Sequence, residues 1–224
     1  METYTPRSAD FLFYLLAGIL LFFGFIRVFF ARYLDYVFSL FFRASMRQQQ
    51  IREQLLQTPF PSLLLNLLFA ISSGLYFCFL ARQYGLARGI EFGLLFIDCT
   101  VVVGLLYLFK YFVLKTTGWV FNISRATDTY IFVVFMTNKI IGILLLPFLV
   151  ALAFSAPATD EIIITISYFM IAILLLYRFI ASYPPIRNEI KVSIFYFFLY
   201  LCAFEIAPLL LIYKVLLTYL EKAY

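Results

Sequence analysis

Long apolar stretches alternate with short polar connections along this 224-residue chain. Each stretch approaches or exceeds the roughly 20 residues that a helix needs to cross the hydrocarbon core of a bilayer. The pattern predicts six spans, at Phe11–Phe30, Ser62–Ala81, Ile90–Leu114, Tyr130–Ala153, Glu161–Ala181 and Val192–Leu217. Because the connections contain no linker rich in Gly and Ser, we predict a single integral membrane domain over residues 1–224.

The connection after the first stretch is long, and it begins apolar and ends polar. Its apolar residues recur at helical spacing, as Tyr33, Val37, Leu40, Phe41 and Ala44. Such a pattern is typical of an amphipathic helix that lies in the membrane interface, with basic residues such as Arg43 and Arg47 at the lipid headgroups. The alternative is a first helix that extends beyond the bilayer. Ser62 then follows Pro61 and is predicted to cap the second span.

Composition supports a membrane protein. The chain is 65% hydrophobic and 13% charged, whereas soluble domains are about 45–50% apolar and roughly 25% charged. The apolar runs are too long and unbroken for transmembrane strands, which alternate over about ten residues. The predicted fold class is therefore all-α, a polytopic helical membrane protein of about six transmembrane helices, with an interfacial amphipathic helix after the first.

Histidine is absent, and the three cysteines lie inside apolar stretches. Histidine is the commonest metal ligand and general base, and buried cysteine usually packs as a small apolar residue. We therefore expect no metal, no cofactor, no catalytic residues and no enzymatic activity. Nucleic acid is not an expected partner.

The basic residues predict the orientation in the membrane. One side of the predicted bundle holds only Arg7, Arg82, Arg88, Lys214 and Lys222, whereas the remaining twelve of the 17 basic residues lie nearest the other side. Cytoplasmic connections carry the excess of Lys and Arg. We expect the first, third and fifth connections to be cytoplasmic and both termini periplasmic.

Three ionisable residues fall deep within the predicted spans. At about 1.5 Å of rise per residue, Glu205 lies near the midpoint of its span, Lys139 about 4–5 Å from the midplane and Asp98 about 6 Å from it. Unpaired charges there are costly, so each should face the bundle interior and find a partner. Depth favours a contact between Lys139 and Glu205.

Asp98 is then either a third member of this cluster or a protonated carboxyl bonded to a neighbour such as Asn138 or Thr100. Pro208 removes an intrahelical hydrogen bond beside Glu205 and leaves the carbonyl of Phe204 without its donor. Such a site can serve a transport mechanism or join two helices structurally. Both readings stay open, the structural one being favoured.

Three further basic residues, Arg27, Lys110 and Arg178, fall roughly 10–12 Å from the predicted midplane on the cytoplasmic side. Long basic side chains near helix ends extend to the interface. They are expected to contact anionic lipid headgroups, either generally or as one specific headgroup site.

Three stretches of the chain carry a resemblance to a known family: "YLDYVFSLFF" from Tyr33, "DTYIFVVFMTNKIIGILLLPF" from Asp128 and "FLYLCAFEIAPLLLIYK" from Phe198. In these stretches the chain resembles a bacterial polytopic inner-membrane family of unknown function, the domain of unknown function 4271 family. The resemblance implies an integral protein of the bacterial inner membrane and supplies no activity.

Two functions follow as hypotheses. The first is a scaffold or assembly subunit of a cell-envelope complex, which explains the scarcity of polar residues and treats the buried pair as a structural bond. The alternative is a small transporter or a proton or ion pathway that uses Glu205, Lys139 and Asp98 at mid-membrane. The expected partners are the lipid bilayer, its anionic headgroups and other envelope membrane proteins.

Overall fold

A computed structural model describes residues 7–42, 58–85, 89–120, 122, 124–155, 157–189 and 214. Regular secondary structure in these ranges is helical. The helices are α1 (Arg7–Phe29), α2 (Ala31–Phe42), α3 (Pro59–Gln83), α4 (Phe92–Val120), α5 (Ser124–Phe154) and α6 (Pro157–Glu189). The prediction of an all-α polytopic membrane protein is confirmed.

Five of the helices are long and apolar enough to cross a membrane. The qualifying segments are Asp10–Phe29, Pro59–Gln83, Phe92–Val120, Thr127–Phe154 and Thr159–Ser182. They coincide with the first five predicted spans. The sixth, Val192–Leu217, lies outside the described residues apart from Lys214.

Local sequence explains where these helices reverse. Asn122, between α4 and α5, has a φ of 55°, and asparagine tolerates this left-handed region better than most residues. After α3, Gly85 and Gly89 adopt φ values of 67° and 91°, which glycine does at no steric cost. Pro157 begins α6, a position where its missing N–H has no helical partner to lose.

Contacts between helices establish the directions of α3, α4 and α5. Gly74 of α3 lies against Thr100, and the ring of Phe69 packs on Tyr107 with centroids 4.9 Å apart. The residue numbers rise in α3 as they fall in α4, so these two helices are antiparallel. Phe69 also lies against Gly142 of α5, and α5 runs parallel to α3.

The two parallel helices, α3 and α5, form the centre of the described bundle. In their most apolar segments 50% and 67% of residues are buried, against 17%, 22% and 24% in α1, α4 and α6. The small residues Ser72, Ser73 and Gly74 are buried in α3. Small residues let membrane helices approach closely, which explains how α3 packs against several neighbours.

The short helix α2 is amphipathic and distinct from α1, which ends one residue before Phe30. Its buried stripe consists of Tyr33, Leu34, Val37, Leu40 and Phe41, while Arg32, Asp35 and Tyr36 are exposed. Four of these buried residues are those that the helical spacing predicted. A helix separate from α1 corrects the alternative of a single first helix that extends past the bilayer.

Candidate functional site

Lys139 is the centre of a polar contact that joins three helices. Its side chain is 6% exposed, and its Nζ donates hydrogen bonds to Tyr33 Oη of α2 at 2.9 Å and to Ser62 Oγ of α3 at 2.7 Å. The Nζ atom also lies 5.4 Å from the centroid of the Tyr33 ring, within cation–π range.

The Tyr33 and Ser62 hydroxyls both accept from the Lys139 ammonium. Burial raises the pKa of the Tyr33 phenol above its ordinary value, and the nearby Ser62 hydroxyl lowers this pKa by a smaller amount. The phenol is therefore neutral at physiological pH and offers the ammonium an uncharged oxygen. The two hydroxyls and the ammonium form a compact three-membered centre.

Ser62 reaches this centre because α3 begins earlier than predicted. The helix starts at Pro59, with Thr58 in the N-cap position and no side-chain cap. The prediction that Ser62 caps the helix is therefore wrong. Two prolines open the helix, at positions where missing N–H groups cost little, and Ser62 falls within the first turn with its hydroxyl directed to Lys139.

The contact with Ser62 also changes the depth of the Lys139 ammonium. Ser62 lies nine residues before Ile71, the middle of α3, which corresponds to about 13 Å along the helix axis. The predicted depth of 4–5 Å referred to the backbone of an α5 that began at Tyr130. In the structure α5 begins at Ser124, and the long side chain extends toward the start of its own helix, the usual direction in α-helices.

Other buried polar residues lie at a similar level of the bundle. Since Phe69 meets Tyr107 across the antiparallel pair, Asn66 of α3 is level with Lys110 of α4, three residues away on each helix. Gly142 lies against Phe69, which places the backbone of Lys139 near the same level.

Arg178 of α6 belongs to this level too. Tyr76 of α3 and Ser167 of α6 share a hydrogen bond and so lie at one level. Arg178, eleven residues after Ser167, is therefore level with Leu65, eleven residues before Tyr76. Its side chain is 1% exposed, with its guanidinium carbon 5.9 Å from the ring centroid of Tyr130. Three basic side chains, those of Lys110, Lys139 and Arg178, are thus buried in one half of the bundle.

The predictions for the basic residues need correction on this point. Lys110 and Arg178 are 7% and 1% exposed, so they are buried in the bundle and do not extend from its surface to lipid. Depth along a helix says nothing about the face on which a residue lies. Arg27 is exposed in the last turn of α1, where its predicted headgroup contact stays a prediction. Arg43 and Arg47 lie outside the described residues.

Asn138 is buried, at 1% exposed. Among the described residues its amide nitrogen and oxygen have no hydrogen-bond partner, and the same is true of the Asn66 side-chain oxygen. Buried polar atoms in native proteins are nearly always satisfied by protein or water. These two amides are therefore sites where ordered water or a bound group would be stabilised.

Asp98 does not belong to this centre. Its side chain is exposed, and in the described part of the chain no ion pair or hydrogen bond involves it. Thr100 donates instead to the Phe96 carbonyl at 2.8 Å, and Asn138 is buried elsewhere. The prediction that Asp98 faces the interior is wrong, because Asp98 lies on the face of α4 opposite the one that packs on α3.

The remaining predicted members, Glu205 and Pro208, lie outside the described residues, so the contact between Lys139 and Glu205 stays a prediction. Tyr33 and Ser62 were missed as partners of Lys139. A signal existed, since both are polar residues at helix starts on the side of the bundle where the lysine stem points. Within the described ranges, no group of three or more Cys, Asp or Glu side chains forms a metal site.

These long apolar helices, with a closed polar centre between them, define an all-α polytopic membrane protein. The chain matches the family described as "Domain of unknown function (DUF4271)" over residues 12–216. Since this match covers most of its length, the chain belongs to that family. Comparison with curated proteins gives no match, and comparison with solved structures gives none either.

Proposed function

We propose that the chain is a scaffold or assembly subunit of a cell-envelope complex in the bacterial inner membrane. The observation that carries this proposal is the closure of the Lys139 centre. The ammonium is 6% exposed and is held by two neutral hydroxyls of other helices. A group enclosed in this way serves to position helices and is poorly placed to exchange a solute.

A second contact supports the same reading. Tyr177 of α6 donates its hydroxyl hydrogen to the backbone carbonyl of Phe41 at 2.5 Å, and the two rings pack with centroids 4.2 Å apart. The start of α2 is thus attached to α5 through Tyr33, and to α3 through the shared Lys139 ammonium, while its end is attached to α6. Helix α2 therefore joins three spans into one unit, as a scaffold requires.

The proposal includes an orientation and a set of partners. The first, third and fifth connections are cytoplasmic and both termini periplasmic, as the excess of basic residues supports. Anionic headgroups bind Arg27, Arg43 and Arg47 on the cytoplasmic side. The proposal retains the predicted Lys139–Glu205 pair as a further attachment between helices.

Purification under mild conditions tests the scaffold proposal. The tagged chain, expressed at its native level, is extracted in a mild detergent, and the mass of the purified species is measured. The Lys139→Met variant serves as a perturbation of the centre, and Gly104→Ala, whose added Cβ meets nothing within 4 Å, as a matched control. We expect a defined complex with constant partners that Lys139→Met weakens. A wild-type chain that purifies alone would contradict the scaffold function.

The buried amides favour the second candidate, a small proton or ion pathway. Asn66 and Asn138 can hold water at the level of Lys139, and a chain of waters is what such a pathway needs. Flux is measured in vesicles with wild type, Asn138→Leu and Glu205→Gln at matched protein levels. A flux in wild type that either variant abolishes would support the pathway, and no flux above that of empty vesicles would exclude it.

A further inference from the structure

An exposed carboxyl lies within the membrane-spanning part of α4. Asp98 shares one helical face with Leu94, Ile97, Val101 and Leu105, which are 58%, 55%, 51% and 60% exposed. These positions follow the spacing of a single stripe on a helix. Between Leu94 and Leu105 the exposed stripe of α4 is therefore apolar except for one carboxyl group.

The depth of this carboxyl follows from the helix contacts. Gly74 lies against Thr100, so Asp98, two residues earlier on the antiparallel helix, is level with Tyr76. Tyr76 is five residues beyond the middle of α3, which corresponds to about 7–8 Å along the axis. An aspartate side chain is too short to reach the headgroups from there. Ionisable residues at such depth almost always face protein or a water-filled cavity.

A groove adjoins the carboxyl on the same surface. It is an open, almost entirely apolar space of about 360 Å³ between α1, α3 and α4. Its walls include Ile97 and Val101 beside Asp98, and Gly18 on α1. A Cβ added at Gly18 would meet nothing within 4 Å, so the α1 wall leaves room for a further apolar side chain to enter.

We propose that this face of α4 and its groove bind a membrane-spanning helix of a second protein, and that this helix presents a lysine or arginine side chain to Asp98. Charge complementarity identifies the occupant. A carboxylate in hydrocarbon is stabilised by a basic partner at the same depth, whereas a lipid acyl chain would fill the groove and leave the carboxyl unpaired. The inference rests on the proposed scaffold function and names one contact of that scaffold.

A second copy of this chain fits the face less well. Copies in one membrane share orientation, so each described residue keeps its depth in both. Among the exposed basic residues of helices α1 to α6, Arg82 lies nearest to the depth of Asp98, six residues further toward the end of α3. Its guanidinium is engaged over the Phe92 ring at 4.7 Å. A symmetric pair would instead bring two Asp98 carboxyls together.

The test uses synthetic helices of known sequence. The chain is reconstituted in vesicles of phosphatidylcholine and phosphatidylglycerol with a dye-labelled peptide of leucine and alanine. One peptide carries a lysine at the depth of Asp98 and a matched peptide carries leucine there. Energy transfer from a donor on the protein measures binding. We expect the lysine peptide to bind at least ten-fold more tightly, and Asp98→Asn to remove this preference while Asp98→Glu retains it.

Further variants keep the outcome decisive. Glu91→Gln, an exposed acid just before α4, is the charge control and should leave the preference unchanged. Val101→Trp fills the groove wall without altering the carboxyl and should also block the lysine peptide, even if Asp98→Asn fails to fold. Equal binding of both peptides to wild type would overturn the inference, and so would a preference that persists in a folded Asp98→Asn protein. Transfer between labelled copies that Val101→Trp abolishes would assign the face to self-association and overturn the proposed occupant.

These results are separable from the test of the proposed function. The wild-type chain could purify in a defined complex while Asp98→Asn changes neither the complex nor the peptide preference. That outcome would exclude this face as a docking site and leave the scaffold proposal standing. If the chain purifies alone yet binds the lysine peptide in preference to the leucine peptide, the scaffold proposal is excluded and the face is shown to bind basic helices.

Discussion

Gly142 of α5 lies directly against Phe69 where the two central helices meet, and its replacement by alanine would perturb this contact. A Cβ built at Gly142 would lie 2.7 Å from the Cα of Phe69 and 3.0 Å from its Cβ. Ordinary carbon–carbon contacts are about 3.5–4.0 Å. Because one of the opposing atoms is backbone, the clash is relieved only by moving α3 and α5 apart by about 1 Å.

Two opposing effects set the size of the change. Alanine stabilises a helix over glycine by about 0.8–1 kcal/mol, whereas inserting a group into a packed core costs about 1–3 kcal/mol. We expect a net loss of up to about 2 kcal/mol in the free energy of unfolding, and a loss of about 1–3 kcal/mol relative to a helical glycine-to-alanine change that meets no clash. The Ser62–Lys139 hydrogen bond should weaken too, because Lys139 is one turn from Gly142 on the same face.

Thermal unfolding in detergent micelles measures this effect. For a chain of this size, 1 kcal/mol corresponds to a shift of roughly 2–4 °C in the melting midpoint. Gly104→Ala on α4 is the control, since it brings the same gain in helix propensity with nothing within 4 Å of its Cβ. It should leave the midpoint unchanged or raise it. A Gly142→Ala protein as stable as the Gly104→Ala protein would refute the close packing of α3 and α5.

Three further outcomes are expected. Tyr177→Phe should remove the hydrogen bond to the end of α2, cost about 1 kcal/mol and speed hydrogen exchange there; unchanged exchange would show that α2 is held without it. The exposed ion pair of Lys115 and Asp128, 2.6 Å apart, should show no measurable coupling in a double-mutant cycle of thermal midpoints, because solvent screens such pairs; a clear coupling would contradict its exposure. Cys78 and Cys99, both buried, should react with a membrane-permeant maleimide much more slowly than a cysteine introduced on the outer face of α4, and equal rates would argue against their packing.

Much of the architecture was predictable because bilayer physics is strict. A span must be long, apolar and helical, since backbone groups in hydrocarbon have no water to bond. The first five spans and the amphipathic helix around Val37 therefore followed from residue order. The predicted helix ends were less accurate: the helices begin at Ser124 and Pro59, earlier than the predicted spans. Polar turns extend a helix beyond the bilayer without changing the apolar pattern.

The candidate site was predictable only in part. Lys139 was identified as a buried residue that needs partners, because an ammonium in an apolar span is costly wherever it lies. The identity of the partners depended on how the separate spans align. A serine expected to cap its helix, and a tyrosine on an amphipathic helix, meet the lysine because α2, α3 and α5 converge there.

Sequence by itself determined that this chain is a polytopic helical membrane protein, which residues lie within its spans, and that charged groups among them require an explanation. Tertiary structure alone decided which way each of those groups faces. Lys110 and Arg178 are enclosed and Asp98 is exposed, although all three are ionisable residues within apolar helices. The physical reason is that the hydropathy of a segment indicates only that the whole helix lies in the membrane. Whether a residue on that helix is buried or exposed depends on the neighbours against which the helix packs.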